Sequence, residues 1–169
     1  MTGYVAAIGR NAAVLSPISA AHFMSHLYQT CLPILFPLLH TELGISFVAL
    51  GFVMTVFTLT AGASQVPIGF LIDRVGPVYL LIGGLALEAS AILLMGFSVE
   101  YAALVGLAMV VGMGHAVFHP ADYTILSANV DEKPIGKAFS IHTFSGHLGN
   151  AAPPALVGLL LLFLDWRQT

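Results

Sequence analysis

His22, His26 and Gln29 stand at i, i+4 and i+7, and His115, His119 and Asp122 repeat that spacing. At about 100° per residue each trio covers only about 60° of helix surface, so each makes one polar stripe. Imidazole and carboxyl groups so placed can pass protons, hydrogen-bond a polar solute or ligate a metal. Histidine pairs at i, i+4 suit zinc, but no acidic or cysteine ligand completes either set in a familiar motif, so neither a metal nor a cofactor is expected. Singly, each histidine reads first as a hydrogen-bonded packing residue; as aligned stripes, packing and the lining of a path stand level. Pro120 is expected to kink the second stripe and turn Asp122 aside. Glu88 lies in the middle of an apolar stretch, too deep to reach either end. Removing a carboxylate from water is costly, which suits a group that picks up and releases protons. Glu88 reads slightly more readily as a neutral carboxyl hydrogen-bonded between helices, and Asp122 is the second candidate for carrying protons.

The elements that carry these residues are set by composition. Of 169 residues, 8% are charged and 58% hydrophobic. A soluble domain carries about 25% charged residues, so the solvent here is lipid. The formal net charge of −3 has no cluster behind it, which excludes a nucleic-acid partner. Cys31 is alone and forms no internal disulfide. A bilayer core of about 30 Å needs about 20 apolar residues per helix. Five stretches meet that pattern, near 16–39, 47–71, 78–97, 102–128 and 138–164. The fold expected is all-α and integral to the membrane, one partial transmembrane bundle over residues 1–169. Ser16-Pro17 is expected to open the first helix, and Pro33 and Pro37 to bend its far end.

Orientation follows from the positive charges. With the N-terminus in the cytoplasm, Arg10, Arg74, Lys133 and Lys137 fall inside and Arg167 outside. Residues 1–14 hold one positive charge and no long apolar run, so no cleaved signal is expected. Asp165-Trp166-Arg167 reads as the short turn before a sixth helix, and the sequence is expected to be a fragment of a longer protein.

The segment after the second stretch reads Gly69-Phe70-Leu71-Ile72-Asp73-Arg74-Val75-Gly76. This resembles the G-x-L-x-D-R-x-G signature of the major facilitator superfamily, in its loop between helices two and three. Pro77 and Val78 stand where that pattern continues with basic residues. Gly112 fits the glycine of a second pattern on helix four, but Ala108 replaces its arginine, so proton coupling through that arginine is excluded. Gly146 to Gly158 resembles the glycine- and proline-rich helix-five motif of exporters, with Pro153 and Val157 in place of glycines. A kinked helix with small residues for packing explains that run equally well. His22-Phe23 with Gln29, Gly112 to Ala121, and Ser145 to Asn150 are similar to the fosmidomycin resistance protein group.

The resemblance implies about five helices of an N-terminal six-helix bundle, truncated before helix six, in the inner (plasma) membrane. Helices one and four line the central cavity of that fold. It implies transport rather than catalysis: proton-coupled efflux of a small molecule or drug, with the lipid bilayer, protons and a missing C-terminal half as partners. In this reading His22, His26, Gln29, His115, His119, His142, His147 and Asn150 form the substrate path. Glu88 and Asp122 carry protons, and Gly69, Asp73, Arg74 and Gly76 form a gating turn. An uptake carrier of the same fold, a membrane enzyme with a histidine-bound metal, and a non-transporting membrane or assembly protein stand as alternatives.

Overall fold

The computed structural model describes residues 2–98 and 100–169, with side chains from residue 12 onward. The side chain of Arg10, counted above with the cytoplasmic charges, lies outside the described residues. The helices are α1 (Thr2–Ile34), α2 (Phe36–Leu43), α3 (Phe47–Val75), α4 (Pro77–Gly96), α5 (Tyr101–His115), α6 (Phe118–Asn129), α7 (Ile135–Ala151) and α8 (Pro153–Leu160). There is no strand among the described residues. Three segments are long and apolar enough to cross a membrane: Phe47–Val75, Pro77–Gly96 and Tyr101–Asn129.

Proline explains the breaks that turn five rods into eight helices. Pro120 has no N–H and its ring crowds the carbonyl of Ala116, and the ladder gives way at Ala116–Val117 between α5 and α6. There the Val117 N–H tightens to bond Gly114, three residues back, at 3.3 Å. Leu35, between Pro33 and Pro37, interrupts α1 and α2, and Ala152 precedes Pro153-Pro154 between α7 and α8. Pro17 departs from expectation. It lies inside α1 and does not open it, so the Ser16-Pro17 pair is no cap and the helix bridges one missing hydrogen bond.

The family-like motif is a helix end rather than a loop. Residues 69–75 complete α3, and Gly76 alone, at φ +97°, turns the chain into Pro77 at the start of α4. Only glycine enters that region without strain. Asp73 and Arg74 are exposed and form no ion pair among the described residues. A Cβ on Gly69 would meet nothing within 4 Å, so that glycine makes no close helix approach.

Two apolar cores hold the rods together. One joins Leu39, Leu50, Phe57, Met95, Val111 and Trp166. The other joins Ile18, Ile72, Leu81, Phe118, Leu126 and Ala138. In the second core the last turns of α3 and α6, at Ile72 and Leu126, meet the first turns of α4 and α7, at Leu81 and Ala138, so successive rods run antiparallel. The far end is clamped by the last residues. Trp166 Nε1–H donates to Glu42 at 2.6 Å, while Arg167 donates to the carbonyls of Gly96 and Ser98, each at 3.0 Å. That places a cation on the C-terminal carbonyls of α4, where the helix dipole favours it.

Candidate functional site

Along α1, α4 and α5, the interval between the two apolar cores is polar. His22, Ser25, Glu88, His115, Asp122 and His142 are all buried. They come from α1, α4, α5, α6 and α7, and small residues set their register. A Cβ on Gly84 would lie 2.8 Å from the Gly114 carbonyl oxygen, and one on Gly114 would lie 2.9 Å from Glu88 Cγ. This tight crossing of α4 and α5 delivers Glu88 to His115. On the other side, Gly149 touches the Phe23 carbonyl, and a Cβ on Gly146 would lie 2.6 Å from the His22 ring. These glycines lay α7 directly on the histidine face of α1, which gives the glycine-rich run a packing role.

Glu88, His115 and Ser25 form a triangle. Ser25 Oγ lies 3.0 Å from Glu88 Oε1 and 2.8 Å from His115 Nδ1, and His115 Nδ1 lies 3.0 Å from Glu88 Oε1. Three heteroatoms at mutual hydrogen-bond distance can pass a proton by short hops between Oε1, Oγ and Nδ1 as the hydroxyl rotates. The other carboxyl oxygen, Oε2, is buried without a partner. Glu88 is thus both tied across three helices and able to hold or yield a proton.

The imidazoles continue the network. The His26 ring stands edge-on to His115 with centroids 5.5 Å apart, and His26 Nε2 lies 3.0 Å from His22 Nε2. His26 Nδ1 lies 3.2 Å from Asn150 Oδ1, which also accepts from Thr30 at 2.9 Å. His22 donates from Nδ1 to the His142 carbonyl at 3.0 Å, and the two rings stack 4.0 Å apart. His142 Nε2 approaches Asp122 Oδ2 to 3.3 Å, but off the hydrogen-bond line. Both carboxylate oxygens of Asp122 and both ring nitrogens of His142 are therefore buried without hydrogen bonds. The kink before Pro120 does not turn Asp122 aside; the residue is fully buried.

The structure gathers His22, His26, His115, His119, His142, Asn150, Glu88 and Asp122 in one layer. Gln29 stands one turn beyond on α1, with Oε1 buried and unpaired. His147 is exposed and makes no hydrogen bond among the described residues. Gly69, Asp73, Arg74 and Gly76 sit at the α3–α4 turn, away from the layer. Ser25 and Thr30 were not anticipated. Ser25 shares the face of His22 and His26 at i+3 from the former, so the stripe itself contained the signal. A cavity of about 160 Å³ lies towards the α2 and α8 end, lined by Tyr28, Cys31, Met95, Leu104, Val157 and Trp166; the histidines are packed outside it.

Residues 18–169 match the family described as Major Facilitator Superfamily. The fosmidomycin resistance protein of Escherichia coli (strain K12) is 25% identical over 148 residues, covering 88% of this chain and 36% of that protein. The cephamycin export protein of Amycolatopsis lactamdurans is 28% identical over 149 residues, 88% of this chain and 31% of that protein. The methylenomycin A resistance protein of Bacillus subtilis (strain 168) is 26% identical over 126 residues, 74% of this chain and 26% of that protein. The chain spans about a third of the length of the curated relatives it matches.

Proposed function

This chain belongs to the Major Facilitator Superfamily, and we propose that it supplies N-terminal helices of a proton-coupled carrier that exports a small molecule by alternating access. The observation that carries the reading is the Ser25–Glu88–His115 triangle, a buried hydroxyl–carboxyl–imidazole unit between two apolar cores. Polar groups at membrane depth are costly and mark ion or substrate pathways. His22, His26, His119, His142 and Asn150 line the path next to the triangle, and Gln29 extends it along α1. His147 belongs to the path only when a second helical bundle covers its exposed face. Glu88 and Asp122 carry the coupled protons. Asp73 and Arg74, exposed at the α3–α4 turn, gate the cytoplasmic side as the bundles rock. The carrier lies in the plasma membrane with its N-terminus inside, as the distribution of Arg74, Lys133, Lys137 and Arg167 favours.

Export is preferred because the relatives above are named for resistance and export. Uptake is the second reading, favoured by Pro153 and Val157 at glycine positions of the exporter-like motif. The test uses everted membrane vesicles containing the whole protein that carries this chain, with fosmidomycin as probe and a pH-sensitive dye as readout. Fosmidomycin is expected to dissipate an imposed proton gradient, and Glu88→Gln or Asp122→Asn to abolish the response. An unchanged response in both variants overturns the coupling scheme. Movement of the drug down the proton gradient, in the same direction as the protons, overturns export in favour of uptake.

A further inference from the structure

The histidine cluster has a second feature besides the triangle, a pair of ring nitrogens that face each other. His22 gives its Nδ1–H to the His142 carbonyl, which can only accept. Its Nε2 therefore carries a lone pair. His26 directs Nδ1 at Asn150 Oδ1, which leaves a lone pair on its Nε2 as well. These two nitrogens face each other at 3.0 Å. Two lone pairs that close repel unless a proton or a metal ion sits between them. Oxygen acceptors on the far nitrogens are also the arrangement that fixes histidine tautomer and ring direction in metal sites.

A third imidazole completes the set. His119, in the first turn of α6, brings a ring nitrogen to within 4.8 Å of those of His22 and His26, and its Nδ1 is buried without a partner. The rings stand edge-on, with His22 at 83° to His26 and 72° to His119. In-plane lone pairs can converge from rings so arranged. The alternative trio of His22, Asp122 and His142 also gathers within 4.8 Å. Its two rings are stacked at 9°, and parallel planes cannot both contain one metal, so that trio is excluded as a ligand set. Tetrahedral zinc with Zn–N bonds of about 2.05 Å sets its ligand nitrogens about 3.4 Å apart. His22 and His26 already stand near that spacing, and rotation of His119 about its side-chain bonds closes the rest.

We infer that His22, His26 and His119 form a three-histidine site for a divalent transition-metal ion of the zinc, cobalt and nickel class, with the fourth position open. Three neutral imidazoles suit that class over magnesium or calcium. The dication needs countercharge at membrane depth. Asp122 and Glu88, reached through His142 and His115, are the two buried carboxyls that provide it.

Binding is an equilibrium that needs no flux, so it is tested separately from transport. Tag-free whole protein in detergent, stripped with chelator, is titrated with cobalt(II), and the visible absorption of the tetrahedral ion is followed. One cobalt per chain is expected, displaced by zinc. His26→Gln and His119→Gln should each weaken binding by at least about tenfold. His40→Gln, altering a residue bonded to the Ile45 carbonyl at the far end of the bundle, should leave it unchanged. X-ray absorption of the zinc-loaded wild-type protein gives an answer independent of variant folding: three nitrogen ligands at about 2.0–2.1 Å are expected. Well below one ion per chain, undiminished binding in both histidine variants, or a shell dominated by sulfur or carboxylate oxygen each overturns the site. Intact metal binding with no proton-linked flux would instead count against the transport reading.

Discussion

Glu88 Oε1 and His115 Nδ1 meet at 3.0 Å with the carboxylate side chain wholly out of solvent. The contact joins α4 to α5 at the level where Gly84 and Gly114 let the two backbones touch. Ser25 reaches the same pair from α1. An acid, a base and a hydroxyl are thus held by three different helices, and any rocking of α1 against α4 changes their distances together. That is how a proton site can sense a conformational change.

The triangle predicts unequal effects of its members. Ser25→Ala removes the hydroxyl but leaves the direct contact between Glu88 and His115. Proton-linked flux should fall several-fold in rate while the number of protons moved per substrate stays the same. Glu88→Gln should abolish the proton movement itself. The ratio of dye response to substrate flux, measured in one vesicle preparation, separates the two. An altered ratio in Ser25→Ala would show that the serine, rather than the carboxyl–imidazole pair, defines the coupling.

Gly149→Ala should be among the costly single changes in the bundle. Its Cβ would press on the Phe23 carbonyl and approach His26 Cβ to 3.0 Å, where neither atom is a flexible side-chain end. Overpacking of this kind costs about 1–3 kcal/mol. Gly51→Ala, where a Cβ meets nothing within 4 Å, should be neutral or slightly stabilising, because alanine favours the helix. Thermal unfolding in detergent compares the pair. Equal midpoints would show that α7 does not lie on α1 as described.

Gly149 and Glu88 show where reading the sequence reaches its limit. Spacing within one helix fixes angles, so the stripes of His22, His26 and Gln29 and of His115, His119 and Asp122 were visible before any fold. Spacing says nothing of register between helices. The contact of Glu88 with His115 and the approach of His119 to the His22–His26 pair depend on how far α4 and α6 slide along their neighbours. That sliding is set by glycine contacts whose partners lie many residues away. Proline carried two kinds of information. It marked the break before Pro120 correctly, because the crowded carbonyl is local. It misled at Pro17, because a long helix can bridge one lost hydrogen bond. Asp122 was expected to turn aside, but a kink changes the axis of α6 without removing its inner face from the bundle.

Arg167→Ala should loosen the end of the bundle opposite the α3–α4 turn. Its guanidinium is donated to the Gly96 and Ser98 carbonyls and covers the Trp166 ring at 4.2 Å. Loss of charge-assisted hydrogen bonds at this half-buried position should cost about 1–2 kcal/mol. Arg167→Lys should recover only part of it, because one ammonium cannot reproduce the planar fork and its stacking. Hydrogen exchange at Phe97 and Ser98, whose N–H groups bond the last turn of α4, should quicken in the alanine variant and stay slow in the wild type. Unchanged exchange would detach this clamp from the stability of α4.

The orientation can be read with single cysteines. Cys31 is half-buried in the bundle, so Cys31→Ser provides a background with no other thiol in this chain. Asp131 lies in the exposed turn between α6 and α7, and Thr41 is exposed near the end of α2. The antiparallel rods place these positions at opposite ends. With the N-terminus inside, a membrane-impermeant maleimide should label Asp131→Cys in inside-out vesicles alone. It should label Thr41→Cys in right-side-out vesicles alone. The reverse pattern would invert the protein, moving Arg74, Lys133 and Lys137 to the outer face against the usual distribution of positive charge. It would also put the Asp73–Arg74 pair on the external side, opposite to the cytoplasmic gate proposed for it.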